Sequence, residues 1–515
     1  MRDGHAAEGA RGVKRTCVSL LPGPESRNAC DCGEITNLIA PFHNVSVQQM
    51  HPLSLPGQAH LIGIGGAGMQ ALAQVLLDRG WRLSGSDTSV AGVRWLRDRG
   101  VDVHSGHAEA AVCKRSGGVV YSDAVNADNV ERQKAARLGL AEFSYPQALG
   151  VLMAERRGLA VAGTHGKSTV TAMIAKIMER AGFDPTVICG AAPAGANSGG
   201  RGGAGEWLVA EACEYRENFR HLRPELAVVL GIEIDHFDYY SSRAELSAAF
   251  RRFVAQVPDA GVVLANADCQ ATRRATADCR AQRLTFGVSS ADADWQARAI
   301  KHIHGRYSFE IWHHGARVAE VLLQVPGRHQ VVNALAAAAA ARAAGVPIEG
   351  IVAGLEGFRG LRRRLEFVAR AGGIELWDDY AHHPTEVRAT LAALRTMYPA
   401  RRIWCVFQPH QLSRTRALVD EFAASLHNAD RVTVTEVFVA RETPLECPRA
   451  AAEDLARRVR AYGTEVLPDS RPAAILNYIC TAARPGDVVI TMGAGDIRNR
   501  FDELADRLRA NRTSG

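Results

Sequence analysis

The chain has 515 residues, 61 basic and 55 acidic side chains, a net charge of +6, and 47% hydrophobic against 23% charged residues. That length makes room for about three domains, each with its own core, and a charge excess spread so thinly excludes a dedicated nucleic-acid surface. No apolar run approaches the roughly 18 residues of a membrane helix, and eleven scattered cysteines without C-x-x-C pairs suit reduced thiols in a cytoplasm.

Residues 1–55, with "LLPGPESRNACDCGE", lack the apolar core of a signal peptide and read as a disordered extension. Order is expected from about His60. There "AHLIGIGGAGMQALAQVLLDRGWRLSGSD" gives a buried strand, a glycine turn, an amphipathic helix and a second strand. Gly63, Gly65 and Gly68 fit G-x-G-x-x-G, and Asp87 stands where a ribose-binding acid would. This first α/β domain is assigned to 56–155.

A second α/β domain, 156–357, opens with "AVAGTHGKSTVTAMIAKIM", a short strand, a turn and a helix that begins near Lys167 and Ser168. A helix N-terminus offers unpaired N–H groups and partial positive charge to phosphate oxygens. Lys167 adds a full charge, and the Ser168 hydroxyl suits Mg²⁺. The Walker spacing is imperfect, because Val161 stands where its first glycine belongs. Lysine is scarce, however, with six in the chain against 55 arginines, so a lysine here points to a need for a compact ammonium. "WLVAEA", "LAVVLGI" and "AGVVLANAD" continue as parallel strands. Residues 300–325 alternate around an "HHG" turn and predict a hairpin with exposed histidines, and "NALAAAAAARAAG" predicts a close-packed helix ending at Gly345.

"FRGLRRRLEFV" reads as a linker into a third α/β domain, 358–515, with strands at "ELWDDY", "RIWCVFQP", "RVTVTEV" and "DVVITMGAG". Strands of such sheets deliver ligand-binding side chains at their carboxyl ends. Glu211 closes "WLVAEA" and His236 follows "LGIEID", so both belong on the edge of the phosphate loop, with Asp235 a rival metal ligand by residue type. "DDYAHHPTE" and "FQPHQLSRTR" add His410, Arg414, Arg416 and the adjacent His382 and His383, of which at most one serves a common ligand. Arginines there suit a carboxylate or phosphate.

The order "GIGGAGM", "SGSD", "GTHGKST", "EACE", "IEIDH", "GRHQVVN", "RRRLEF", "DDYAHHPTEV", "FQPHQLSRTR" and "GAGD" spans about residues 58–500 and resembles the Mur ligases, in particular their alanine-adding branch. The resemblance implies a three-domain α/β fold. A Rossmann-like first domain would bind UDP-N-acetylmuramate rather than a nicotinamide, through Gly63, Gly65, Gly66, Ala67, Gly68, Met69, Ser86 and Asp87. A mostly parallel central P-loop-type domain and a Rossmann-like C-terminal domain would enclose ATP. ATP phosphates would lie on Gly163, Thr164, His165, Gly166, Lys167, Ser168 and Thr169, with His329, Asn333, Arg363 (or Arg364) and Asp379 nearby. Ser168, Glu211 and His236 would serve Mg²⁺, and Lys167, His236, His382 and Arg414 the chemistry. The implied reaction joins L-alanine to the lactyl carboxylate through an acyl phosphate, in cytoplasmic peptidoglycan precursor synthesis, by a monomer or homodimer without nucleic-acid or membrane partners. A sister ligase attaching another amino acid or a recycled peptide is the alternative. Sisters that carry a carbamylated lysine about fourteen positions past the histidine are disfavoured, since Phe250 stands there. Gly231, Gln330 and Gln411 depart from the family pattern.

Overall fold

The structure is a computed structural model that describes residues 57–440, 442, 447–467 and 471–510. The expected extension over 1–55 lies outside them. Three sheets follow one another along the chain. The first is wholly parallel, in the order β3-β2-β1-β4-β5, from β1 (Gln58–Ile62), β2 (Arg82–Asp87), β3 (Asp102–Ser105), β4 (Gly118–Tyr121) and β5 (Ala141–Ser144).

The central sheet has ten strands: β6 (Arg157–Ala162), β7 (Thr186–Ile188), β8 (Gly200–Arg201), β9 (Trp207–Ala212), β10 (Leu226–Val229), β11 (Val262–Asn266), β12 (Gln282–Gly287), β13 (Trp295–Ile303), β14 (Arg306–His313) and β15 (Ala316–Leu322). Their order is β15-β14-β13-β12-β11-β10-β6-β9-β7-β8. Its middle is parallel and apolar on both faces; every residue of β10 is buried, as is all of β6 after Arg157, as expected where helices cover both sides. The predicted hairpin is a three-stranded meander. The expected turn at His314–Gly315 is there, and a second one falls at His304–Gly305; both pairs have positive φ, 47° and 79°, then 47° and 82°, the two-residue geometry that matches strand twist.

The third sheet runs β16-β17-β21-β18-β19-β20, with β16 (Glu366–Ala371), β17 (Ile374–Asp379), β18 (Ile403–Phe407), β19 (Arg431–Val434), β20 (Glu465–Val466) and β21 (Val488–Met492). Only the β16–β17 pair is antiparallel. The stretch read as linker is therefore only partly one: Glu366 and Phe367 already pair in β16, and Val368 falls at a shift in its register. The alanine-rich helix His329–Ala343 buries every residue from Ala334 to Ala341 and ends before Gly345, at φ 97°.

The helix Ala67–Asp78 lies against β7 and β8, joining the first and central layers in one core that includes Leu72, Val75, Leu208 and Phe253. Contact there reaches the backbone: a Cβ on Gly200 would lie 2.1 Å from the Ala71 carbonyl oxygen. All eight described cysteines are free thiols, and no described helix is long and apolar enough to cross a membrane.

Candidate nucleotide and ligation site

β9, β6 and β10 are parallel neighbours, and their registers (Val161 with Glu211, Ala162 with Ala212 and Val229) bring three strand ends to one edge. The loop Gly163–Gly166 leaves β6 at this edge. Val161 is a buried member of β6, paired on both sides, so the turn starts at Gly163 and the missing Walker glycine is not needed. Gly163 and Gly166 have φ 138° and 83°, conformations open to glycine. The Thr164 amide donates to Gly231 O at 2.8 Å, and the Thr164 hydroxyl exchanges hydrogen bonds with the Glu233 backbone at 2.9 and 3.0 Å. Gly166 caps the helix Lys167–Arg180 without a side-chain acceptor, so its first N–H groups stay available to an anion.

Lys167 Nζ donates to Gly163 O at 2.6 Å and to both carboxylate oxygens of Glu214 at 2.9 and 3.1 Å. Burial alone would depress the lysine, but the Glu214 charge raises it above its ordinary value. Glu214, 1% exposed, is in turn held below the usual carboxylate range, against its burial, by Lys167 and His236. His236 Nε2 is 3.6 Å from Glu214 Oε1 and its ring packs on Tyr215. Glu214 closes the "EACE" motif without being marked by it as the partner of Lys167, because an acid two residues beyond a strand end gives no sign in sequence of which way it turns.

His236 sits at φ 55° and donates its amide to Asp235 Oδ1 at 2.7 Å. Asp235 is no free metal ligand: Arg414 Nε donates to the same oxygen at 2.7 Å, with Asp235 5% and Arg414 2% exposed. The arginine keeps this carboxylate ionised despite burial. Ser168 is buried, and Glu211 accepts the Gly190 amide; both share the edge with His236. The described chelating side chains that converge within 4.8 Å are others, His165, Glu233 and His383.

A cavity of about 270 Å³ lies above the loop, lined by His165, Gly166, Thr169, His329, Asn333 and Asp379 from the expected nucleotide set and, beyond it, by Gln330, Arg364 and Glu386. Gln330 ties its neighbours together: it lies 3.0 Å from His329 Nε2 and accepts from Asn333 Nδ2 at 3.0 Å. Asn333 abuts the loop, since a Cβ on Gly166 would be 2.7 Å from its Oδ1. Burial keeps His329 neutral, its pKa pushed down to about 4. Asp379 is pushed up to about 6, chiefly by burial, while accepting the Leu365 and Ala381 amides at 2.7 Å. The guanidinium at the cavity is Arg364, whereas Arg363 donates to Gly493 O and Gly495 O at 2.8 and 3.1 Å. Of the two adjacent arginines expected near the nucleotide, Arg364 is the one that lines the cavity.

His165 joins the loop to the third sheet. Its Nδ1 donates to Glu386 Oε1 at 3.0 Å and its Nε2 faces Glu233 at 3.4 Å; although burial opposes protonation, these carboxylates push the ring up to about 9. His382 and His383 diverge, His382 bonding Tyr380 O at 2.9 Å and His383 lying against His165. Burial pushes His382 down to about 4.

In the first sheet, Gly63 (φ 82°) opens the glycine turn, Gly66 caps the helix that begins Ala67-Gly68, and Asp87 closes the turn, accepting the Gly65 and Ser89 amides at 2.8 and 2.9 Å. Two residues of the expected substrate set have inward-turned side chains. Ser86 is fully buried and donates its hydroxyl to buried Glu131, and Met69 is 2% exposed in the core; G-x-G-x-x-G spacing marks the turn but not which flanking side chains point inward.

Three stretches match family models: 58–157 "Mur ligase family, catalytic domain", 161–341 "Mur ligase middle domain" and 363–495 "Mur ligase, glutamate ligase domain". A UDP-N-acetylmuramate–L-alanine ligase of Acetivibrio thermocellus is 40% identical over 444 residues, 85% of this chain and 93% of that protein. One of Desulforamulus reducens is 38% identical over 88% of this chain and 98% of its own. Among solved structures, the UDP-N-acetylmuramate-alanine ligase of Thermotoga maritima superposes with a TM-score of 0.76 at 25% identity, covering 88% of this chain and 99% of that one. A murein peptide ligase of Psychrobacter arcticus follows at 0.68 and 27%, with coverage of 88% and 99%. With all three of its sheets matched and its length shared with these relatives, the chain belongs to the Mur ligase family.

Proposed function

We propose that the chain is an ATP-dependent ligase that joins L-alanine to the lactyl carboxylate of UDP-N-acetylmuramate, a cytoplasmic step in peptidoglycan precursor synthesis. The observation that carries this reading is the loop that ends in a helix opened by Lys167, whose His165, Gly166 and Thr169 line a cavity together with Asp379 and Glu386 of the C-terminal domain. In the reaction the lactyl carboxylate attacks the γ-phosphorus of ATP, giving an acyl phosphate and ADP. The neutral amine of alanine then attacks the acyl carbon, and phosphate leaves. The loop Gly163 to Thr169 cradles the phosphates, Lys167 neutralises charge on the transferring group, and His329, Asn333, Arg364 and Asp379 flank the nucleoside side. His382 and Arg414 border the side from which alanine enters.

Ser168, Glu211 and His236 are the residues that would hold Mg²⁺. The donor set fits: a hydroxyl, a carboxylate that accepts the Gly190 amide, and an imidazole share the loop's edge, matching a cation that prefers oxygen ligands and few protein groups. When bound, Mg²⁺ supplies charge neutralisation on the phosphates. The first sheet's turn, Gly63 to Gly68 with Asp87, receives the UDP portion. Contacts such as Thr385 with Glu233, at 2.7 Å, and Arg414 with Asp235 hold the C-terminal layer over the site and exclude water from the acyl phosphate.

The alanine branch is favoured over lysine-carbamylating sisters because Phe250 is fully buried, edge-on to Phe219. The test is phosphate release from ATP and UDP-N-acetylmuramate with each amino acid, and with the tripeptide, in turn. L-alanine should stimulate release well above every other acceptor; release no greater than with glutamate, glycine or no amino acid refutes the specificity, and stimulation by tripeptide alone moves the chain to the recycling branch.

A further inference from the structure

At the seam between the phosphate loop and the third sheet, three side chains from distant parts of the chain converge. Glu233, after β10, places Oε2 3.4 Å from His165 Nε2 and 3.8 Å from His383 Nδ1. The two imidazole rings lie 4.6 Å apart, and one ligand atom from each of the three residues falls within 4.8 Å of the others. The His383 ring is only 5% exposed and its Nε2 has no hydrogen-bond partner among the described residues, while His165 Nε2 faces only the Glu233 carboxylate.

What surrounds the group suits a metal. His165 gives its other ring nitrogen to Glu386 at 3.0 Å, the carboxylate-behind-histidine arrangement that orients metal-bound imidazoles. Glu233 is steadied by the Thr385 hydroxyl at 2.7 Å. His383 Nδ1 holds only a long 3.3 Å bond from the Thr385 amide, which coordination would displace. Two imidazoles and one carboxylate are the donors of borderline divalent cations, and three protein ligands leave a fourth position for water. The carboxylates of Glu233 and Glu386, 3.4 and 3.0 Å from the two nitrogens of His165, make the pocket attractive to a cation.

We propose that His165, Glu233 and His383 form a binding site for a borderline divalent metal such as Zn²⁺, separate from the Mg²⁺ residues, and that bound metal pins the C-terminal layer to the phosphate loop. The binding claim is independent of the ligase reading; only the consequence, slower turnover from a seam that reopens less readily, rests on it.

The experiment titrates metal-free full-length protein with Co²⁺, then Zn²⁺, in excess Mg²⁺ and without substrates. One equivalent of Co²⁺ should give a visible band of tetrahedral intensity, bleached by Zn²⁺ and lacking a thiolate charge-transfer band. His383→Ala and Glu233→Gln should each weaken it at least tenfold, and Glu386→Gln by about 10- to 100-fold. Glu233→Gln, nearly isosteric, keeps the test open should His383→Ala fold poorly. A strong thiolate band, no stoichiometric binding, or affinity unchanged in folded Glu233→Gln and His383→Ala overturns the proposal.

Discussion

Arg414→Met tests whether the C-terminal layer controls the backbone that presents His236. Arg414 and Asp235 are 2% and 5% exposed and meet at 2.7 Å, and the same aspartate oxygen accepts the His236 amide. Replacing the arginine strands a buried carboxylate, at a cost of about 3–5 kcal/mol. His236, at φ 55°, then also loses an anchor that holds an unfavourable conformation. At about 1.4 kcal/mol per factor of ten, a 3 kcal/mol loss speeds local opening by on the order of 10²-fold. Hydrogen–deuterium exchange read by mass spectrometry over residues 230–240 and 410–416 measures this directly. Asp235→Asn added to Arg414→Met removes the stranded charge while keeping an acceptor for the His236 amide and should restore much of the protection, giving a large non-additive coupling. Exchange within about threefold of wild type in the single variant, or strict additivity in the double, refutes the reasoning.

Lys167→Met should cut phosphate release by on the order of 10³-fold. Because it strands buried Glu214, Lys167→Met/Glu214→Gln should melt higher than the single variant, and near-normal turnover in Lys167→Met removes the ammonium from the reaction. Gly166→Ala forces φ 83° on a residue with a Cβ, 2.7 Å from Asn333 Oδ1, costing about 1–2 kcal/mol before any clash; calorimetry should find ATP bound about tenfold more weakly or worse, and an unchanged Kd contradicts the loop assignment. In the first sheet, burial alone would raise Glu131, but hydrogen bonds from His60, Ser86 and the Ala108 amide bring it down to about 2 from 4.5. A depressed carboxylate stabilises above its unfolded pKa and loses that as pH falls through the folded one, so on the order of 3 kcal/mol should vanish between pH 4.5 and 2. Glu131→Gln should flatten that part of the pH–stability curve; an equally steep loss in the variant refutes it.

The loop and the strand order were legible because each rests on local chemistry: glycines at positive φ, lysine at a helix opening, apolar runs buried on both faces. What escaped was set by direction. Glu211 and Glu214 are three residues apart in one motif, and only the turn after β9 decides that Glu214 reaches Lys167. Arg363 and Arg364 are adjacent, so which one faces the cavity depends on how the chain enters β16, itself hidden in a stretch rich in charge. Ser86 sits in an expected binding motif, yet a buried acid from a distant helix, Glu131, claims its hydroxyl. Gln330, a departure from the family pattern, turns out to connect His329 with Asn333, because one more methylene lets an amide span both.

The run of alanines in the helix His329–Ala343 has a mechanical consequence. A methyl group has no rotamers to exchange, and this helix lies directly against Lys167–Arg180 with nothing longer than a leucine between Ala334 and Ala341. Larger side chains would form a compliant layer that soaks up small displacements. Here the alanine helix has no side chains of its own to absorb a push on His329, so the shift passes to its backbone and on to the facing helix, where Met173, Ile177 and Met178 share the core.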